Sequence, residues 1–238
     1  MLFHKNFPAI STAQAHAIAR KPAKNKNKQM SERVRKAIAD PYTWVRQYTE
    51  TYNEHWVEEK RLSPYEAFPD WPFIESLFEL FLLEPIVLIE KSRDMMVSWC
   101  CVAYFTWEAM RIPERGVLFQ TQKEDKVKQL IKYAKCLYER QPPWLKDAFP
   151  LAKPLKRQPD LSLTFANGSN IVGIPGGANQ VRSYHPWGYF NDETAFQPEA
   201  GESYNEALAA AHKVILCGTA GPGWYADFKN DRLGAASE

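Results

Sequence analysis

The pattern of apolar positions changes character near Pro85. Before it, apolar residues recur at helical spacing. Val34, Ala37 and Ile38 follow Ser31, a residue that can cap a helix, and Tyr42, Val45, Tyr48 and Tyr52 follow Pro41, which can open a second one. Pro64, Pro69 and Pro72 predict a turn-rich link, and residues 73–83 a strongly apolar helix. From Pro85 onward, short apolar runs alternate with longer stretches. Residues 86–90, 117–121, 187–191 and 214–217 read as buried strands, and residues 97–110, 124–138 and 198–212 as the helices between them. Residues 161–165 and 170–174 flank Asn167-Gly168-Ser169 and predict a hairpin with an Asn-Gly turn. Such alternation predicts an α/β fold with a mostly parallel sheet covered on both faces. Ligands of such sheets bind outside the carboxyl ends of the strands.

A length of 238 residues suits one substantial domain with a peripheral segment, or two small domains. The expected division is a flexible basic lead-in over 1–30, a helical N-terminal segment and linker over 31–71, and the main domain over 72–238. A net charge of +2 does not by itself mark a nucleic-acid binder. The local distribution says more: Arg20, Lys21, Lys24, Lys26, Lys28, Arg33, Arg35 and Lys36 face the single acid Glu32. That cluster reads either as a phosphate-contacting segment or as a solvated tail. Cys100, Cys101, Cys136 and Cys217 have no metal-ligand or disulfide spacing and read as buried reduced thiols. The N-terminus lacks the pattern of a signal peptide, and the apolar window 77–89 is broken by Glu79, Glu84 and Pro85, so a soluble protein is expected.

Three strand ends carry candidate chemistry. After the first strand comes Lys91-Ser92-Arg93-Asp94-Met95-Met96-Val97-Ser98, leading into a helix. Backbone N–H groups at a helix start, a lysine and a serine hydroxyl are what a phosphate group and its Mg2+ require. A charged surface turn accounts for the same letters. After the strand ending at Asn191 stand Asp192 and Glu193. Two adjacent carboxylates can divide the work of holding a metal and orienting an attacking water. The last strand exits through Gly218-Thr219-Ala220-Gly221-Pro222-Gly223, where a small hydroxyl residue lies in a turn-rich segment. His185 reads as a packed or exposed loop residue, and Trp99, Tyr104, Phe105 and Trp107 as core.

Taken together and in order, these segments resemble the large terminase subunits of tailed phages, over about residues 72–228. Lys91-Ser92-Arg93-Asp94-Met95-Met96-Val97-Ser98-Trp99 is similar to the family's deviant Walker A, with the lysine at the start of the loop. The resemblance implies that residues Lys91, Ser92, Arg93, Asp94, Met95, Met96, Val97 and Ser98 bind ATP. It also implies that Ser98 and Asp192 hold Mg2+, that Glu193 and Arg93 are catalytic, and that Thr219 couples hydrolysis to motion. Phe73 is the implied aromatic face for the base, with Ile74 where a glutamine is expected. Met96 replaces a loop glycine, and without glycine a positive φ is hard to reach.

The implied fold is a P-loop NTPase of the RecA-like additional-strand type, with a β-hairpin insertion and a helical N-terminal segment. The implied activity is an ATP-driven motor moving double-stranded DNA into a procapsid. Its partners would be a portal protein and a small terminase subunit, and its working form a homo-oligomeric ring, with monomers in free solution. Its place would be the host cytoplasm and, transiently, the procapsid portal, not the mature virion. The family continues into an RNase H-type nuclease domain; after Thr219 only Asp227, Asp231 and Glu238 supply acids, so nuclease activity is not expected from this chain. Two alternatives stay open: a related P-loop helicase or translocase, and a truncated or degenerate terminase-like protein that binds DNA or partners without efficient hydrolysis.

Overall fold

The computed structural model describes residues 30–221 and 223–235. Most of the basic lead-in, residues 1–29, lies outside the described residues, as does Pro222. Ser31 caps helix α1 (Glu32–Ala37), its hydroxyl oxygen accepting the Val34 N–H at 3.3 Å. Asp40 caps α2 (Pro41–Tyr48) in the same way, accepting the Thr43 N–H at 2.7 Å, with Pro41 in the first turn where its missing N–H is harmless. The second helix does not run on to Tyr52. Thr49 is extended, and β1 (Glu50–Tyr52) pairs antiparallel with β2 (Tyr65–Ala67). Helical spacing places Tyr48 and Tyr52 on one face, yet threonine and tyrosine equally suit a pleated strand. The cross-strand partner decides, with the Tyr52 and Tyr65 rings 5.8 Å apart.

Helix α3 (Pro72–Leu83) hands over to a six-stranded sheet. Its strands are β3 (Ile86–Glu90), β4 (Gly116–Thr121), β5 (Ser162–Thr164), β6 (Asn170–Pro175), β7 (Gly188–Asn191) and β8 (Lys213–Gly218), in the order β3-β8-β7-β4-β6-β5. Every neighbouring pair is parallel except the edge pair β5–β6. Strand β8 lies between β3 and β7, so an extra strand separates the one leading to Lys91 from the one leading to Asp192. The hairpin is continuous with the sheet: Gly168, at φ 89°, makes its turn, and β6 then runs parallel to β4. Asn167 uses the same turn to reach α4 (Val97–Arg111), its amide donating to the carbonyls of Ala109 and Met110 at 3.0 and 3.1 Å.

Successive residues of each central strand enter different cores, because side chains alternate across a sheet. Phe119, Phe190 and Ile215 pack with α4, α5 (Glu124–Glu139) and Leu145 of α6 (Pro143–Ala148); Leu118, Tyr189, Val214 and Leu216 pack on the other face, with Val181 of α7 (Ala178–Arg182), Tyr204 of α8 (Ala200–Ala210) and Tyr225 of α9 (Trp224–Ala235). Burial on both faces is why these strands read as unbroken apolar runs. Gly188 lets α4 approach β7 closely, since a Cβ there would stand 2.5 Å from the Phe105 ring. The N-terminal helices share the first core: Trp107 Nε1 donates to the Ile38 carbonyl at 3.2 Å, and Trp44 Nε1 to Gln141 Oε1 at 3.0 Å. Among the described residues no helix is long and apolar enough to cross a membrane.

Candidate active site

Because β3, β8, β7 and β4 run parallel, their carboxyl ends open on one edge of the sheet. Beyond β3, the Lys91 N–H extends the ladder to the Gly218 carbonyl at 3.0 Å, and the chain then turns through Met96 into α4. Asp94 and Met96 occupy the left-handed region at φ 59° and 55°. The glycine-free loop therefore does take the positive φ that Met96 was expected to oppose. A non-glycine residue there costs about 1–2 kcal/mol, less for aspartate, whose short polar side chain suits that region. The Met96 side chain, half-buried, packs on the core. Among the described residues no side chain caps α4, so its first turn presents the positive end of the helix dipole. Ser98 stands half-buried in that first turn.

Beyond β7, Asp192 is buried, its N–H donating to the Gln120 carbonyl at 2.9 Å. Its carboxylate accepts the Glu193 N–H at 3.0 Å. Glu193 is half-buried, lies at φ 56° and starts the short 3-10 turn Thr194–Phe196. Two buried thiols feel charge from both loops. Burial pushes Cys217 and Cys101 well above the usual thiol range; the Asp192 charge raises both further and Lys91 opposes it. The Lys91 N–H meets Gly218 at the end of β8, and Gly218 in turn approaches the backbone nitrogens of Thr194 and Ala195, so the loops of β3 and β7 meet across the inserted strand β8.

The exit from β8 lies on the turn after Glu193. A Cβ on Gly218 would be 3.3 Å from the Ala195 nitrogen, and one on Gly221 3.2 Å from Ala195 Cβ. Thr219 sits half-buried between these two close approaches. Helix α9, which the patterning did not single out, then returns to the first loop: Tyr225 Oη donates to the Ile89 carbonyl at 2.6 Å and Lys229 pairs with Glu90 at 2.6 Å.

Not every residue named from the sequence joins this convergence. Ser92, Arg93, Asp94 and Met95 are exposed on the turn, and Val97 is buried beneath it. Phe73 is half-buried in the first turn of α3, its ring 5.7 Å from that of Trp71, and Ile74 is fully buried in the core. His185 lies before the amino end of β7, at the opposite edge of the sheet, in a cavity of about 300 Å3 with Glu114 and Tyr184. Cys136 is half-buried rather than buried. The sequence reading missed Gln120, Tyr189, Asn191 and Gln197, which form a buried polar chain behind the acid loop. Asn191, beside the paired acids, was the nearest signal for it.

No family model matches the chain, and no curated protein matches it. Solved structures do. The large terminase of bacteriophage HK97 is similar with a TM-score of 0.59 at 7% identity, over 84% of this chain and 42% of that one. The large terminase ATPase domain of Thermus phage P74-26 aligns with a TM-score of 0.46 at 14% identity, over 65% of this chain and 72% of that one. The chain thus spans less than half the length of the HK97 protein, and with it shares a fold: a mostly parallel six-stranded sheet flanked by helices, as in a phage large terminase.

Proposed function

We propose that this chain is the ATPase half of a phage large terminase, hydrolysing ATP with Mg2+ to drive double-stranded DNA into a procapsid. The observation that carries the reading is the convergence of Lys91 with Asp192 and Glu193 across an inserted strand, in a fold shared with the HK97 large terminase. The residues present suit a nucleotide. The uncapped start of α4 and Lys91 offer N–H groups and positive charge to phosphate oxygens. Ser98 and Asp192 offer the few protein oxygens that Mg2+ takes when phosphates complete its shell. Mg2+, when bound, supplies charge neutralisation at the phosphates.

In this reading Ser92, Asp94, Met95, Met96 and Val97 lend backbone to the phosphate loop. Arg93, exposed beside it, reaches the charge that develops on the transferred group. Glu193, held in a turn braced by its neighbours, orients and deprotonates the attacking water. Phe73 offers a ring face to the base. Thr219, on the β8 exit that lies on the acid turn, passes the change after hydrolysis to the rest of the motor. A portal protein, a small terminase subunit and further copies of the chain in a ring complete the machine, and a nuclease domain would act from outside these residues. Two observations favour a second reading, a terminase-like protein that binds DNA or partners without efficient hydrolysis: Met96 is strained where glycine is expected, and Ile74 is buried where a base-reading amide is expected.

The test is Mg2+-dependent ATP turnover by the purified chain beside Glu193→Gln and Lys91→Ala. Turnover in the wild type that falls by about a hundredfold or more in Glu193→Gln is expected, since a positioned base is worth about 10^2–10^4 in rate. Absence of both turnover and nucleotide binding in the wild type overturns the ATPase reading. Binding without turnover favours the second.

A further inference from the structure

Behind the acid loop, on the face of the sheet turned away from α4, four polar side chains form one buried chain. Gln120, Tyr189 and Asn191 are 0% exposed and Gln197 is 8% exposed. Tyr189 Oη donates to Gln120 Oε1 and accepts from Asn191 Nδ2 at 2.8 Å. Asn191 Oδ1 accepts from Gln197 Nε2, which also donates to the Asp192 carbonyl at 2.8 Å. Thr194 Oγ1 donates to the Asn191 carbonyl at 3.0 Å. At the far end, Gln120 Nε2 donates to the carbonyls of Pro175 and Gly177, both at 3.1 Å, where β6 leaves the sheet for α7. Glu199, two residues beyond Gln197, reaches the same place by accepting the Ala178 N–H at 2.9 Å.

We propose that Gln120, Tyr189, Asn191 and Gln197 are positioning residues that hold Asp192 and Glu193 in working geometry and tie them to the backbone entering α7. The proposal rests on reading Asp192 and Glu193 as the catalytic acids. Glu193 lies at φ 56°, a conformation that persists only where the surroundings over-determine it. The Gln197 amide provides that restraint, spanning the turn back to the Asn191 side chain and fixing the Asp192 carbonyl. The chain is also not the most stable filling for this space. Gln197 Oε1 is buried and accepts no hydrogen bond among the described residues, and a partly satisfied buried network is no better for stability than apolar side chains of the same shape. What polar groups add here is direction: each fixes the next, from the end of β6 to the Asp192 carbonyl. A shift of the Gly177 backbone is therefore felt at the acids through hydrogen bonds between side chains that the sheet holds still.

The experiment compares the full chain with Tyr189→Phe and Gln197→Leu. Tyr189→Phe removes one oxygen and keeps the ring in its core, so it tests the chain even if Gln197→Leu folds poorly. Three quantities are read: Mg2+-dependent ATP turnover, nucleotide affinity by calorimetry, and backbone hydrogen exchange over residues 192–198. We expect kcat to fall about tenfold to a hundredfold in both variants, as misplacement of a catalytic group by an ångström does. Nucleotide affinity, set by Lys91 and the start of α4, should stay within about twofold, the split expected when transition-state contacts alone are lost. Exchange over 192–198 should quicken while that of β3 and α4 stays unchanged. Wild-type turnover and exchange in both variants overturns the proposal. So does a fall in turnover matched by equal loss of nucleotide binding and quickened exchange throughout, which marks a purely structural role. A wild type silent towards ATP, with exchange over 192–198 still quickened in the variants, sinks the ATPase reading and leaves the holding role standing.

Discussion

The two loops that make up the candidate site reach the same kind of strained backbone by different means. Met96 and Glu193 sit within a degree of each other in φ, at 55° and 56°, and neither is glycine. Around Glu193 the strain is supported from three sides: the Asp192 carboxylate takes its N–H, Gln197 closes the turn, and the β8 exit packs on Ala195. Around Met96 support comes from the core beneath it, while residues 92–95 stand exposed and α4 has no side-chain cap. The comparison teaches that one half of the site is organised by the protein itself. In the proposed reading a phosphate completes the other half, as suits a helix start with no side-chain cap.

The sharpest way to break the contrast is to disturb the supported loop from below. Gly218→Val puts branched carbons where a single Cβ already approaches the Ala195 nitrogen at 3.3 Å, so the turn after Glu193 must move. Turnover should fall about a hundredfold, as for an ångström-scale displacement of a catalytic group, with nucleotide affinity little changed. If turnover holds, the acid turn is not set by the β8 exit.

A control from the other end of the sheet comes next. Lys213 begins β8, is buried, and donates to the Phe81 and Glu84 carbonyls at the end of α3. Lys213→Met should cost about 1–3 kcal/mol in urea unfolding, because it strips the buried Phe81 carbonyl and the partly buried Glu84 carbonyl of their donor, while turnover per folded molecule stays at the wild-type level. Burial lowers the Lys213 ammonium to about 8. Between that value and the ordinary lysine value of about 10.4 the unfolded chain binds more protons than the folded one, so stability from this group rises with pH across that window. Below about 8 its contribution is flat. The rise should vanish in Lys213→Met; if it persists, another group causes it.

The smallest effect sharpens the comparison at the unsupported loop. Met96→Gly relieves about 1–2 kcal/mol of left-handed strain but gives back part of it as added freedom in the unfolded chain. A net gain of about 0.5–1 kcal/mol is expected, read as a rise of about 1–4 °C in Tm. A drop in Tm would mean that Met96 packing outweighs its strain.

Much of the fold was legible because the two-faced burial of a parallel sheet writes itself into local runs. Residues 86–90 and 124–138 were found almost to their ends, and Ser31 and Pro41 marked helix starts through short-range capping. Helix α9 went unseen because Gly221 and Gly223 drew attention to a turn, although Trp224, Tyr225 and Phe228 carry helical spacing. Tyr52 was assigned to the wrong element because one spacing suits both a helix and a paired strand. Lys91, Asp192 and Glu193 were legible as residues at strand ends, which is a local property. Their convergence was implied only by the family resemblance and not by any local pattern, since it depends on β8 being inserted between β3 and β7, and strand order leaves no mark in any one segment.

The sequence by itself determined the class of fold, the positions of most strands and helices, and the residues standing where such sheets bind ligands. Periodicity, capping and turn chemistry act over a few residues and can be read there. Only the tertiary structure decided that a methionine takes a left-handed turn, that the exit of β8 packs on the turn after Glu193, and that Gln120 is joined to Gln197 through Tyr189 and Asn191. Those outcomes depend on hydrogen bonds and close approaches between strands that are distant in sequence, and it is the packed sheet that sets which side chains meet.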